Sequence, residues 1–234
     1  MEAATSELAG AEARLPAEAR WLLGWALVWL ASFGVFVALL SPAGFGMYGR
    51  SWVGGLWYLS AAATGAWLLR RELRAEQTGA DWGRLPEAGL LLTLIGVAAA
   101  ATWAQSGLPL TPETKAAFER EQLGFVRLDA VYFAVKLPEL CFQQTLIYAL
   151  VRRIQAWGLR GPALIGAFAL VFAGVHLPIL AFKGPAAGLS ILGASAAAGL
   201  LFVPLIAWVR RGVCLSFCVH VTAYLIAGLL ARSQ

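Results

Sequence analysis

One acidic side chain and two imidazoles lie within long apolar stretches of the sequence. Glu139 is the only one of the thirteen side-chain carboxylates that lies near the middle of such a stretch. His176 and His220, the two histidines of the chain, lie inside two further apolar stretches. An ionised side chain at the centre of a membrane helix costs about 2.5–3.5 kcal/mol on insertion scales, so it is retained where it faces protein or water. These residue types predict acid–base chemistry at a site inside the membrane.

Polar side chains accompany Glu139 on the same predicted helix. Lys136 precedes it by three positions and Gln143 follows it by four, so the three residues share one helix face. Pro138 in this helix and Pro178 further along the chain predict bends, because proline removes a backbone hydrogen bond. Two interpretations stay open: Lys136 and Glu139 form a private ion pair, or they belong to a functional site.

The composition places the chain in a membrane. Of its 234 residues, 60% are hydrophobic and 13% are charged, and the mean hydropathy is +0.72. Soluble domains are about 25% charged. The net charge of +5 comes from basic residues scattered between apolar runs, which argues against a nucleic-acid partner. The three cysteines also lie in apolar stretches, so a disulfide-stabilised secreted domain is not expected.

A helix needs about 20 apolar residues to cross a bilayer, and this rule predicts an all-α, polytopic transmembrane helix bundle with about seven spans (seven to eight). A polar tail at 1–20 precedes a single transmembrane domain at 21–234. Small residues such as Gly193 and Gly199 predict close packing between helices. The predicted spans are 21–41, 52–69, 88–108, 129–151, 162–182, 187–209 and 214–231.

The positions of arginine and lysine predict the orientation in the membrane. The N-terminal tail and the second, fourth and sixth loops hold two, four, three and two basic residues, eleven in all, and the other side holds six. We therefore expect the N-terminus inside and, with seven spans, the C-terminus outside. Arginine outnumbers lysine by 15 to 3, which indicates a GC-rich bacterium and hence a bacterial cytoplasmic membrane.

Three segments of the chain resemble the motifs of the CPBP intramembrane protease family. This family includes the type II CAAX prenyl endopeptidases and the bacteriocin-processing (Abi) proteins, and it carries Glu-Glu-x-x-x-Arg, Phe-x-x-x-His and His-x-x-x-Asn on separate helices. The second motif is complete here, from Phe172 to His176. The third keeps His220 and has Tyr224 at the asparagine position.

The first motif is degenerate in this chain. Pro138 and Glu139 occupy the positions of the two glutamates, and Gln143 occupies the position of the arginine. The order and spacing of the three motifs agree with the family. The resemblance covers about residues 125–234, which would form the catalytic core.

The resemblance implies a hydrolase, a glutamic-type intramembrane endopeptidase that cleaves a peptide or protein near the membrane surface without a metal or other cofactor. By this analogy, Glu139 and His176 activate a water molecule, and His220 stabilises the oxyanion. The remaining residues implied to support the site are Lys136, Gln143, Phe172 and Tyr224.

The degenerate first motif leaves two other functions open. A catalytically inactive relative would act as a membrane scaffold, an immunity factor or an assembly factor. A metal-dependent hydrolase is the second alternative, because one Glu and two His are the ligand set of several zinc hydrolases. The compact His-Glu-x-x-His spacing of many such enzymes is absent from the sequence. No particular oligomeric state is predicted.

Overall fold

The computed structural model describes residues 16–45, 50–74, 79–113, 115–116 and 127–233. These residues form helices, and none of them belongs to a strand. Residues 1–15 of the predicted polar tail lie outside the described residues. The helices are α1 (Ala17–Val35, continuing as a π-helix over Phe36–Phe45), α2 (Ser51–Leu68), α3 (Arg70–Arg74), α4 (Leu85–Gly107), α5 (Ala130–Ala156), α6 (Gly161–Gly174), α7 (Pro178–Trp208) and α8 (Gly212–Arg232).

Each of the seven predicted spans contains a helix, and the all-α membrane bundle is confirmed. The helices α2 and α5 are less hydrophobic than the helices of the other predicted spans and are not among the candidate membrane spans of the described chain. In α5 the polar stripe and two arginines near the C-terminal end lower the hydropathy. By length and composition, five segments of the described chain can cross a membrane: Ala17–Phe45, Leu85–Gly107, Gly161–Ala181, Gly188–Trp208 and Gly212–Arg232.

The fifth predicted span contains a turn that the hydropathy pattern does not show. Helix α6 ends at Gly174, residues 175–177 form the turn, and α7 begins at Pro178. Proline suits the first turn of a helix because its missing N–H group is not needed there. Gly188 packs against Leu180, whereas residues eight positions apart in a straight helix are about 12 Å apart. The chain therefore turns back within the range given for α7, between Ala181 and Gly188, where one candidate span ends and the next begins and where the sequence predicts the boundary between spans.

Helix α5 lies at the centre of the bundle and positions the candidate site. Asp129 caps its N-terminus by accepting a hydrogen bond from the backbone N–H of Tyr132, at 2.7 Å. More than half of its 27 residues are buried, and it contacts α1, α2, α3, α6, α7 and α8. The helix continues without interruption through Pro138. Polar side chains on its buried face are consequently enclosed by other helices.

Glycines allow the closest helix contacts. Gly55 of α2 lies directly against the backbone of Ala134 in α5, where an added Cβ would overlap the carbonyl oxygen. Gly199 of α7 packs against the Phe168 ring of α6, and a Cβ added at this glycine would lie 3.2 Å from the ring. Gly193 has open space beside it. The prediction of close packing at small residues is therefore confirmed at Gly199 and not at Gly193.

The second, fourth and sixth loops meet at one end of the bundle. Glu72 accepts a hydrogen bond from the Trp21 indole at 3.1 Å and lies 3.7 Å from the Arg153 guanidinium. Ala80 pairs with Val209 through backbone hydrogen bonds that link the second loop to the sixth. We call this end, formed by the start of α1 and residues 68–74, 79–85, 152–161 and 208–212, the arginine-rich end.

The opposite end of the bundle is closed by Arg232 at the end of α8. Its guanidinium donates to the backbone carbonyls of Ala104 and Leu108, at 2.6 and 2.9 Å, and to that of Arg127 at 2.7 Å. The last carbonyls of a helix lack intrahelical partners. One side chain therefore ties the C-terminal ends of α4 and α8 to the segment that precedes α5.

Candidate functional site

Glu139 lies in a buried ion pair on the inner face of α5. The Lys136 Nζ atom donates to Glu139 Oε1 at 2.7 Å, and the Gln143 Nε2 atom donates to the same oxygen at 2.8 Å. The side chains of Lys136 and Glu139 are only 7% and 6% exposed. Both hydrogen bonds go to Oε1, and no described residue donates to Oε2. The carboxylate is thus held by one oxygen, while the other oxygen is left for a further partner.

Lys136 has a second partner on another helix. Its Nζ atom lies 3.7 Å from the centre of the Tyr224 ring in α8. A cation at this distance is attracted by the negative face of the ring, most strongly where water is excluded. Tyr224 therefore contacts Lys136 through its ring face.

His220 is held by a network of three polar groups from α5 and α8. The Ser216 hydroxyl donates to Gln144 Oε1 at 3.1 Å, so the amide oxygen of Gln144 is an acceptor. The Gln144 Nε2 group faces His220 Nδ1 at 3.1 Å and the Ser216 carbonyl at 3.4 Å. Because an amide nitrogen only donates, Nδ1 of His220 accepts, and the proton of the neutral ring resides on Nε2.

His176, in the turn that follows α6, has the opposite tautomer. Its Nδ1 atom lies 2.6 Å from the Phe172 carbonyl oxygen, which can only accept, so Nδ1 carries the proton. This carbonyl is free because the backbone N–H of His176 bonds Ala173 instead. The ring is also held edge-on against Trp29 and Phe172, with centroids 5.5 and 4.9 Å away. The Nε2 atom of His176 therefore keeps its lone pair.

The three predicted catalytic residues occupy one region of the bundle without bonding one another directly. His220 is within electrostatic range of both Lys136 and His176. Among the described residues, neither histidine donates to Glu139, and no three His, Cys, Asp or Glu side chains lie close enough together to hold a metal ion. The Glu/His/His set is thus not gathered as a group of metal ligands.

Several residues of this region have no role predicted from the sequence. Gln144 and Ser216 orient His220, and Trp29 supports the ring of His176. Tyr132, fully buried one turn before Lys136, has a hydroxyl with no hydrogen-bond partner among the described residues. The second glutamine in an apolar helix was a usable signal for Gln144. Nothing in the local pattern distinguishes Ser216 or Trp29 from ordinary span residues.

Comparison with protein-family models, with curated proteins and with solved structures yields no match. The helices and their composition define an integral, multi-pass membrane protein of the helical type. Within that class, the groups capable of acid–base chemistry lie on the buried face of α5, at the turn after α6 and on α8.

Proposed function

We propose that the chain is an intramembrane endopeptidase that hydrolyses a peptide or protein substrate near the membrane surface. The single observation that supports this function is that the two histidines face opposite kinds of partner at Nδ1, an amide nitrogen for His220 and a carbonyl oxygen for His176. His176 offers a lone pair at Nε2, and His220 offers an N–H donor at Nε2. Hydrolysis of a peptide bond can use such a pair, an acceptor that orients the attacking water and a donor that stabilises the oxyanion.

The reaction proceeds from these groups in two steps. The free Oε2 of Glu139 takes a proton from a water molecule, which His176 Nε2 orients by accepting its other hydrogen. The water oxygen bonds to the scissile carbonyl carbon, and the His220 Nε2–H group stabilises the resulting oxyanion. Glu139 then gives its proton to the amide nitrogen, the carbon–nitrogen bond breaks, and a carboxylic acid and an amine are released.

The supporting residues hold the catalytic groups in place. Lys136 and Gln143 fix Oε1 of Glu139 and keep the carboxylate in one orientation. Phe172 positions His176 through its carbonyl and its ring. Tyr224 contacts Lys136 and stacks beside His220, with ring centroids 5.5 Å apart. These contacts give each supporting residue a positioning role.

We also propose a bacterial cytoplasmic membrane as the location, with the N-terminus inside. The arginine-rich end joins the second, fourth and sixth loops, which carry nine of the eleven basic residues counted for the inner side. Basic residues in short loops are retained on the cytoplasmic side. The helix arrangement supports this orientation because it brings those loops to one end.

A cleavage assay in proteoliposomes tests the proposed function. The probe is a library of fluorophore–quencher peptides, and the expected result is cleavage by the wild type. Glu139→Gln should lower the rate by about 10²–10⁴-fold through loss of the base, and His220→Phe by about 10²–10³-fold through loss of the oxyanion donor. Cys141→Ala is the matched control, because this exposed side chain is two residues from Glu139. Full cleavage by a folded Glu139→Gln protein would refute the mechanism.

An inactive scaffold is the second candidate, and one observation favours it. The polar contacts of Glu139 and His176 also have a purely structural use. Lys136 neutralises the Glu139 carboxylate, and His176 caps the end of its own helix through the Phe172 carbonyl. No peptide in the library would then be cleaved by the wild type. The site variants would alter only the unfolding midpoint.

A further inference from the structure

A second polar site lies at the arginine-rich end, away from Glu139. An open cavity of about 290 Å³ separates the α5–α6 connection from the end of α7. This volume is close to the lower limit of small-molecule sites. The residues lining it are Gly79, Gln155, Arg160, Gly161, Leu164, Ala207 and Trp208.

The polar side chains of this cavity are hydrogen-bond donors. The exposed guanidinium of Arg160 makes no hydrogen bond or ion pair with any described residue. Gln155 accepts from Arg152 through Oε1 at 3.2 Å, which leaves its amide N–H groups unpaired within the described part of the chain. None of the described lining residues is acidic, and nearby Asp81 is already paired with Arg210 at 2.9 Å. A ligand of this cavity must therefore supply acceptors and negative charge.

The cavity lies at the level expected for the membrane surface. Trp208 is the last residue of a candidate span, and 47% of its surface is exposed. Tryptophan is enriched at the boundary between hydrocarbon and headgroups. The first turn of α6, which begins at Gly161 and has no side-chain cap, adds backbone N–H groups at the rim. The hydrogen-bond donors, the expected depth in the membrane and the cavity are thus found at the same place on the protein.

We propose that this cavity binds the phosphate of an anionic phospholipid headgroup, with Arg160 and Gln155 as its donors. Basic pockets between helix ends on the cytoplasmic side are suited to such headgroups. The acyl chains of the lipid run along the exposed side of the bundle, where Trp208 borders the cavity. The site is independent of the endopeptidase proposal, because none of its residues contacts Lys136, Glu139 or either histidine.

Thermal unfolding of the full chain in a neutral detergent tests this proposal. Phosphatidylglycerol, phosphatidylcholine and inorganic phosphate are titrated separately, and the apparent affinity is obtained from the rise of the midpoint. Phosphatidylglycerol should stabilise the wild type more than the other two. Arg160→Gln should weaken its apparent affinity at least about tenfold, because a charge-assisted hydrogen bond is removed. Arg71→Gln, an exposed arginine of α3 outside the cavity, is the matched control and should change the affinity less than about twofold.

A second variant of the same cavity keeps the proposal testable if Arg160→Gln does not fold. Gln155→Glu keeps the oxygen that accepts from Arg152 but places a negative charge in the cavity, so it should weaken phosphatidylglycerol binding in the same direction. Equal affinities for Arg160→Gln and Arg71→Gln overturn the proposal. Equal stabilisation by inorganic phosphate and phosphatidylglycerol overturns the assignment to a lipid and leaves a site for free phosphate. Absence of any effect of phosphatidylglycerol on the wild type overturns it as well.

Discussion

Replacing Lys136 with methionine tests the central contact of the bundle, because it removes the charge and keeps an unbranched side chain. In the wild type, Lys136 Nζ lies 2.7 Å from Glu139 Oε1 and 3.7 Å from the Tyr224 ring centre. Both side chains of the ion pair are almost fully enclosed, so bulk water solvates the carboxylate poorly when the lysine is removed. In the variant, Gln143 is the one described donor left to the Glu139 carboxylate.

The expected magnitude follows from this burial. Removal of one partner of a buried ion pair costs about 3–5 kcal/mol, because the remaining charge is uncompensated. Glu139→Gln should cost less, about 1–2 kcal/mol, because the amide oxygen still accepts from Lys136 and the Tyr224 ring still faces the cation. In the double variant no charge remains. Adding Glu139→Gln to Lys136→Met should therefore recover about 2 kcal/mol.

Unfolding by SDS in mixed micelles, followed by tryptophan fluorescence, measures these free energies. The four proteins of the cycle are the wild type, the two single variants and the double variant. Lys115→Met is the matched control, because Lys115 is an exposed lysine, and its effect should stay within about 0.5 kcal/mol.

Two results would contradict an enclosed and coupled ion pair. If Lys136→Met lies within about 1 kcal/mol of the wild type, the pair is not enclosed as the structure has it. If Glu139→Gln destabilises the Lys136→Met protein as much as it destabilises the wild type, the two side chains are not coupled.

Three further predictions concern packing and the two ends of the bundle. Gly55→Ala should destabilise the protein by about 1–3 kcal/mol in the same SDS assay, because the added Cβ meets the backbone of α5. Gly24→Ala, at a glycine with open space around it, should not destabilise the protein, and equal effects of the two variants would contradict the close contact. Arg232→Gln should speed hydrogen exchange at the C-terminal end of α4 at least about tenfold, because the last carbonyls of that helix lose their donor, and unchanged exchange would contradict this role. The pKa of the Asp81 carboxyl is lowered in the folded protein by the Gly83 backbone N–H and by Arg210. The ionised carboxylate therefore stabilises the fold at pH values above its ordinary pKa of about 4, and this stabilisation is lost as the pH falls through the lower pKa of the folded protein. Asp81→Asn should thus lower the unfolding midpoint at about pH 7 and not at about pH 2, and an equal difference at both pH values would contradict the pairing.

The membrane class and the helical fold follow from the sequence, and a helix lies within each of the seven predicted spans. These properties depend on the number of consecutive apolar residues, which is a local quantity. The spacing of Lys136, Glu139 and Gln143 on one helix face follows from the helical repeat, and the structure shows that face buried. The roles proposed for these residues remain predictions.

The partner of each polar group depends on how the helices pack. The turn at 175–177 frees the carbonyl that binds His176, and the approach of α8 to α5 brings Gln144 beside His220. These contacts join residues that are up to 76 positions apart in the chain, so no local pattern can specify them. The protonated nitrogen of each histidine depends on whether its neighbour donates or accepts. That choice is made when the helices pack, because only then are the two groups within hydrogen-bond distance.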